Sequence, residues 1–143
     1  MKTNKYKIMA NAQCALGVHN GPITQHTKTE VKAHTLVCFD DEANYVKTCT
    51  AGDIPWGIAQ RDASTNQPLV SVHPLSNCAQ TACIKLEGNV KAGEYLCVGN
   101  NGQAKALPST SGKYAVIGLA LKGGLNNECI EALTNLPYIL EIK

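Results

Sequence analysis

A chain of 143 residues suits one domain or two small fused units, and at 44% hydrophobic and 17% charged residues it is globular rather than disordered. The formal net charge is +2 with basic residues scattered singly, which excludes the clustered footprint of a nucleic-acid binder. The longest strongly apolar run, YAVIGLAL at 114–121, falls far below the roughly 20 residues of a spanning helix, so no membrane partner is expected.

At the N-terminus, MKTNKYKIMANAQCALGV starts basic, but Asn11 and Gln13 interrupt any export-signal core, and no cleavage or secretion is expected. Residues 1–30 carry Lys2, Lys5, Lys7 and Lys28, hold the loop-like HNGPITQHTKTE, and lack an apolar pattern. They are read as an extended N-terminal arm preceding a β domain over 31–143. Two readings of the arm stay open: a fraying terminus, or a segment that gains order only on a partner.

From residue 31 onward strand signals dominate. TLVCF, LVSV, CIKLE, YAVIGLAL and YILEI are short, rich in β-branched or aromatic residues, and several alternate apolar with polar. In CIKLE, Cys83 and Leu86 fall on opposite phases, so that strand is not expected to be cleanly one-faced. Turn formers separate the strands: FDDEAN, TAGDIP, VGNNGQ, STSGK and KGGLNN. No segment shows a convincing helical period. The prediction is an all-β protein, a compact barrel or sandwich-like domain.

The layout is written twice. VKAHTLVCFDDEANYVKT (31–48) and VKAGEYLCVGNNGQAKAL (90–107) share Val31, Lys32, Ala33 and Cys38 with Val90, Lys91, Ala92 and Cys97, at an offset of 59. Further on, Gly57, Ala59, Asn66 and Leu75 meet Gly118, Ala120, Asn127 and Leu136 at an offset of 61, which implies a two-residue insertion in PSTSGK. A period of roughly 60 exceeds the 20–50 of solenoid arrays, so the pattern favours duplication of one β unit, over 31–76 and 90–136. SNCAQTACIKLEGN joins the copies and is expected to supply a strand.

Chemistry-bearing residues are sparse. The seven cysteines (Cys14, Cys38, Cys49, Cys78, Cys83, Cys97 and Cys129) are odd in number and form no Cys-x-x-Cys pair. They read as reduced thiols serving as small buried hydrophobes, with stability that survives reductant and chelator. For zinc, Cys78-x₄-Cys83 is too long, no second pair follows, and His19, His26 and His34 are spaced too widely; His73 stands alone. Cys–His nucleophilic chemistry needs an adjacent base, yet Cys38 and Cys97 are mid-strand, Cys129 is strand-like, and no G-x-S-x-G occurs. DDE at 40–42 reads as a solvated hairpin turn without the spacing of a calcium loop, and no phosphate-cradling glycine motif is present. No catalytic, cofactor-binding or metal residue is assigned, and no cofactor is expected. GNVKAGEYLCVGNNGQAKAL also resembles biotinyl or lipoyl carrier domains, but its tip, Asn100-Asn101-Gly102, lacks the lysine those domains modify. A small cytoplasmic β-barrel enzyme or carrier using Cys/His chemistry remains the alternative.

Three stretches carry a further resemblance: ITQHTKTE; AGDIPWGIAQRDAS; and VKAGEYLCVGNNGQAKALPSTSGKYAVIGLAL, in which a Gly-rich hairpin leads through Leu-Pro and Gly-x-Tyr into a Gly-Leu-Ala strand. With NNECIEALTNLPYI, they make residues 23–138 similar to the bacteriophage capsid cement (head decoration) proteins of the DUF2190-like group. The chain departs from that group in being cysteine-rich and lacking Ala-rich turns. The resemblance implies a non-enzymatic structural protein of the virion, made in the host cytoplasm. It would bind the major capsid protein on the exterior of an icosahedral head, commonly as a homotrimer, and stabilise the shell.

Overall fold

The computed structural model describes residues 21–42, 44–76 and 80–143. Most of the expected arm lies outside these residues, as do Cys14, His19 and Cys78. Among the described residues the chain forms ten strands, and its only helical piece is a 3-10 turn at Asn100–Gly102.

The first five strands are β1 (Ile23–Thr27), β2 (Leu36–Phe39), β3 (Tyr45–Thr48), β4 (Gly57–Ala59) and β5 (Leu69–Pro74). They close into a barrel in the order β1-β3-β2-β4-β5. Closure rests on β1, which runs antiparallel to β5 from Ile23↔Val72 to His26↔Leu69 and parallel to β3 through His26↔Tyr45 and Thr27↔Val46. Residues 23–27, expected in the arm, are therefore a barrel strand. Its inward positions are Ile23, Gln25 and the buried Thr27, so a single apolar residue at its start leaves no sustained apolar alternation to betray it.

The next five are β6 (Thr81–Lys85), β7 (Tyr95–Val98), β8 (Ala104–Ala106), β9 (Gly112–Ala120) and β10 (Cys129–Ile142), in the order β6-β10-β9-β7-β8. This is the cyclic order of the first sheet with each strand replaced by the one five places later. The last contact differs. Between β6 and β8 there is a single parallel bridge, Leu86↔Ala104, so the second sheet is a half-barrel.

Registers agree strand by strand. Leu36↔Ile58 and Val37↔Gly57 in the first sheet stand as Tyr95↔Leu119 and Leu96↔Gly118 in the second. The bridge Val31↔Ala63 stands as Val90↔Gly124, at offsets of 59 and 61. Cys38 pairs with Lys47 and Cys97 with Lys105, so the offset falls to 58 in β8 before reaching 61 in β9. The insertion between β8 and β9 is thus three residues rather than the two expected from sequence. At Gly57 a Cβ would strike the Val72 side chain, and at Gly118 the carbonyl oxygen of Leu133, which explains a shared glycine in β4 and β9.

Two apolar clusters form the core. Val31, Val37, Val46, Ala59, Ala63, Val70 and Val72 fill the closed barrel. Register places Val90, Leu96, Ala104, Ala120, Gly124, Ile130 and Ala132 at the same positions of the second sheet. Larger residues at two positions (Leu96, Ile130) stand against smaller ones at three (Ala104, Gly124, Ala132), the mutual compensation that close packing demands. The six apolar members of that set belong to a cluster that also takes in Leu36, Cys38, Cys49, Ile58 and Leu75 of the first unit. Because Val37 faces the barrel interior, strand alternation turns Leu36 and Cys38 outward. The outer face of the closed barrel therefore covers the open side of the half-barrel.

Backbone contacts stitch this junction. The Gly102 N–H donates to the Cys49 carbonyl at 2.7 Å, and the Lys85 N–H to the His34 carbonyl at 2.8 Å. Gly102 has φ 70 and lies so near Thr35 Cβ, Thr48 Cγ2 and the Leu36 carbonyl that a side chain would not fit.

Candidate interaction surface

The junction uses one face of the first unit, and the matching face of the second is left bare. Leu36, Ile58 and His73 stand side by side across β2, β4 and β5; Leu36 and Ile58 are buried by the half-barrel. Their register equivalents are Tyr95, Leu119 and Leu133, side by side across β7, β9 and β10, with Thr81 of β6 next in the row. Here Tyr95 is 56% exposed, Leu133 42% exposed and Leu119 half-buried. Leu121 at 41% extends the apolar character just past the end of β9. A row of large apolar side chains on an ordered sheet face is the kind of surface that marks a protein contact.

A second exposed group sits on the first barrel. Phe39 is 63% exposed and stacks on Trp56 with ring centroids 5.1 Å apart, with Ile54 exposed nearby in sequence. The Trp56 Nε1 is buried without a hydrogen-bond partner. The distal half of β10 adds Leu136, Tyr138 and Ile139, each at least 49% exposed.

Charge does little to shape these surfaces. The ion pairs among the described residues, Lys28–Glu42, Lys32–Glu30 and Lys122–Glu131, all join exposed side chains, where such pairs contribute little. Lys28 also lies over the Tyr45 ring, 5.1 Å from its centroid. Asp40, Asp41 and Glu42 form the β2–β3 turn, in which the Asp40 N–H donates to the Tyr45 carbonyl.

The cysteines divide into two sets. Cys38, Cys49 and Cys97 are buried, and desolvation raises the pKa of each thiol, the reverse of what a nucleophile needs. Cys83 and Cys129 are exposed, contrary to the expectation of buried thiols throughout. Desolvation, and then the adjacent Cys129, raise the pKa of Cys83. Ile84 in β6 and Leu86 just past its end are buried, with Cys83 and Lys85 on the opposite side, so this stretch is one-faced after all. His26 lies exposed on β1 with its ring centroid 5.5 Å from that of Tyr45. His34 and His73 line one groove at the junction, a cavity of about 380 Å³ that Cys83 and Arg61 also border. At the Asn100–Gly102 tip, where a carrier domain would present a modified lysine, Asn100 and Asn101 are exposed and Gly102 is packed into the junction.

No family model and no curated protein matches the chain. Among solved structures, the crystal structure of the head fiber gp8.5 N base in bacteriophage phi29 is similar. Its TM-score is 0.63 at 21% identity, covering 84% of this chain and 97% of that one. At this identity the likeness bears on the fold alone: the arrangement of β units found here is similar to that of the head-fiber base.

Proposed function

We propose that this protein is a non-enzymatic structural component of a bacteriophage head. In this reading it binds the major capsid protein on the outer surface as a homotrimer and reinforces the shell. The observation that carries the reading is the fold likeness to a head-fiber base over 84% of this chain and 97% of that one. The Tyr95–Leu119–Leu133 row supports it, since a sheet face left bare offers area to a partner without disturbing the core. Affinity comes from shape-matched apolar and hydrogen-bonded contact, multiplied by linked copies. The chain derives from duplication of one five-strand unit, and three subunits of two units each present six similar lobes to a shell.

The test is co-sedimentation with heads assembled from the capsid protein encoded alongside this chain. The protein should pellet with expanded heads, bind unexpanded shells or free subunits much less, and show in solution a mass three times 15.2 kDa. Tyr95→Asp with Leu133→Asp should abolish pelleting while leaving the β-sheet circular dichroism unchanged. Absence of binding to every head form would sink the reading.

A further inference from the structure

We propose that His34, Cys83 and Cys129 form a binding site for a borderline-soft divalent cation, zinc above all, which ties the closed barrel to the half-barrel. The Cys83 and Cys129 sulfurs and a His34 ring nitrogen all lie within 4.8 Å of one another. Zinc–sulfur bonds of about 2.3 Å and zinc–nitrogen bonds of about 2.0 Å in a tetrahedron need separations of roughly 3.5–3.8 Å. Small side-chain rotations close the difference.

The three residues come from elements that hold them firmly. In the β6–β10 ladder Cys83 faces Glu131 and Lys85 faces Cys129, so the two thiols stand diagonally on one face, two residues apart in register. His34 belongs to the other unit. Its N–H donates to the Ala59 carbonyl at 2.7 Å, and its carbonyl accepts from the Lys85 N–H at 2.8 Å, which fixes the base of the imidazole beside β6. The backbone there is left-handed, φ 63, and the matching turn of the second unit places Gly93 at φ 86. A histidine thus occupies a conformation its counterpart fills with glycine.

The donor chemistry is selective. Two thiolates and an imidazole suit zinc, not magnesium or calcium. Glu131, which borders the outer cleft, is already engaged by the Thr81 hydroxyl at 2.7 Å and by Lys122 at 3.5 Å. Three protein ligands then leave a fourth position open to the groove. No short chelating motif reveals the site, because the ligands lie 49 and 46 residues apart in the chain.

The probe is cobalt(II), titrated into full-length protein freed of metal and kept in a phosphine reductant, which prevents a Cys83–Cys129 disulfide. One equivalent should develop thiolate-to-cobalt charge-transfer absorption and tetrahedral ligand-field bands, and zinc should displace it. His34→Gly restores the residue of the matching turn and leaves the backbone relaxed. It should weaken binding by more than the about 10–100-fold typical of outer-shell changes, as should Cys83→Ser and Cys129→Ser. Circular dichroism verifies that each variant is folded. No tetrahedral thiolate spectrum, or a spectrum unchanged in His34→Gly and Cys129→Ser, would overturn the site.

Discussion

Leu36 and Tyr95 occupy the same register position in two copies of one sheet, yet one is sealed and the other bare, so truncating each should have unequal cost. Leu36→Ala removes three carbons from a fully buried side chain. At about 0.8 kcal/mol per methylene the transfer loss is about 2.4 kcal/mol. The void adds to this, because backbone stitching on both sides of Leu36, through Cys49–Gly102 and His34–Lys85, resists collapse. A total of about 3–5 kcal/mol is expected, a large share of the about 5–15 kcal/mol that holds a domain together. Tyr95 is 56% exposed, so Tyr95→Ala should cost no more than about 1 kcal/mol. Urea unfolding of both variants, followed by tryptophan fluorescence of Trp56 and by circular dichroism, measures the two values. Equal losses, or a Leu36→Ala loss below about 1 kcal/mol, would refute the statement that the outer face of the barrel seals the half-barrel.

Gly118→Ala should destabilise the protein severely, because the new Cβ meets the rigid Leu133 carbonyl; a melting temperature within two degrees or so of the parent would count against the β9–β10 packing. Native carbamidomethylation of metal-free protein should modify the accessible Cys83 and Cys129 before unfolding and the buried Cys38, Cys49 and Cys97 only after it, as read by peptide mass spectrometry. The Asp53 pKa is lowered, first by the Thr50 backbone N–H that donates to its carboxylate at 2.9 Å and then by the Thr50 hydroxyl. A depressed folded pKa gives stability that is present above the unfolded value and lost as pH falls through the folded one. Asp53 is partly exposed, so solvent screening holds the cost of Asp53→Ala to about 1 kcal/mol or less at neutral pH, with the gap to the parent closing in acid; a gap independent of pH would assign the loss to packing.

What could be read from the chain follows where side chains carry the pattern. The Val-Lys-Ala turns and the Cys-bearing strands repeat because each begins a strand whose inner residues, Val37 and Leu96, fill equivalent interiors. The pair β1 and β6 escaped, although they are equivalent as well. Ile84 and Leu86 made β6 legible, while Gln25 and Thr27 fill the matching inward positions of β1 with polar atoms that no period detects. The bare row was also hidden. The exposure of Tyr95 and Leu119 depends on which face the other unit covers, a property of assembly rather than of either strand. For the same reason the exposure of Cys83 and Cys129 is not legible in the strand patterns that carry them.

The unequal closure of the two sheets also imposes an order of assembly. The closed barrel satisfies its own ladders with residues 23–74, so it can finish while the ribosome is still extending the chain. The half-barrel has no such independence. Leu96, Ala104 and Ile130 lack a dry environment until Leu36, Ile58 and Leu75 are already in place to cover them. The N-terminal unit thus serves as a mould for the C-terminal one, supplying the surface on which the later strands pack.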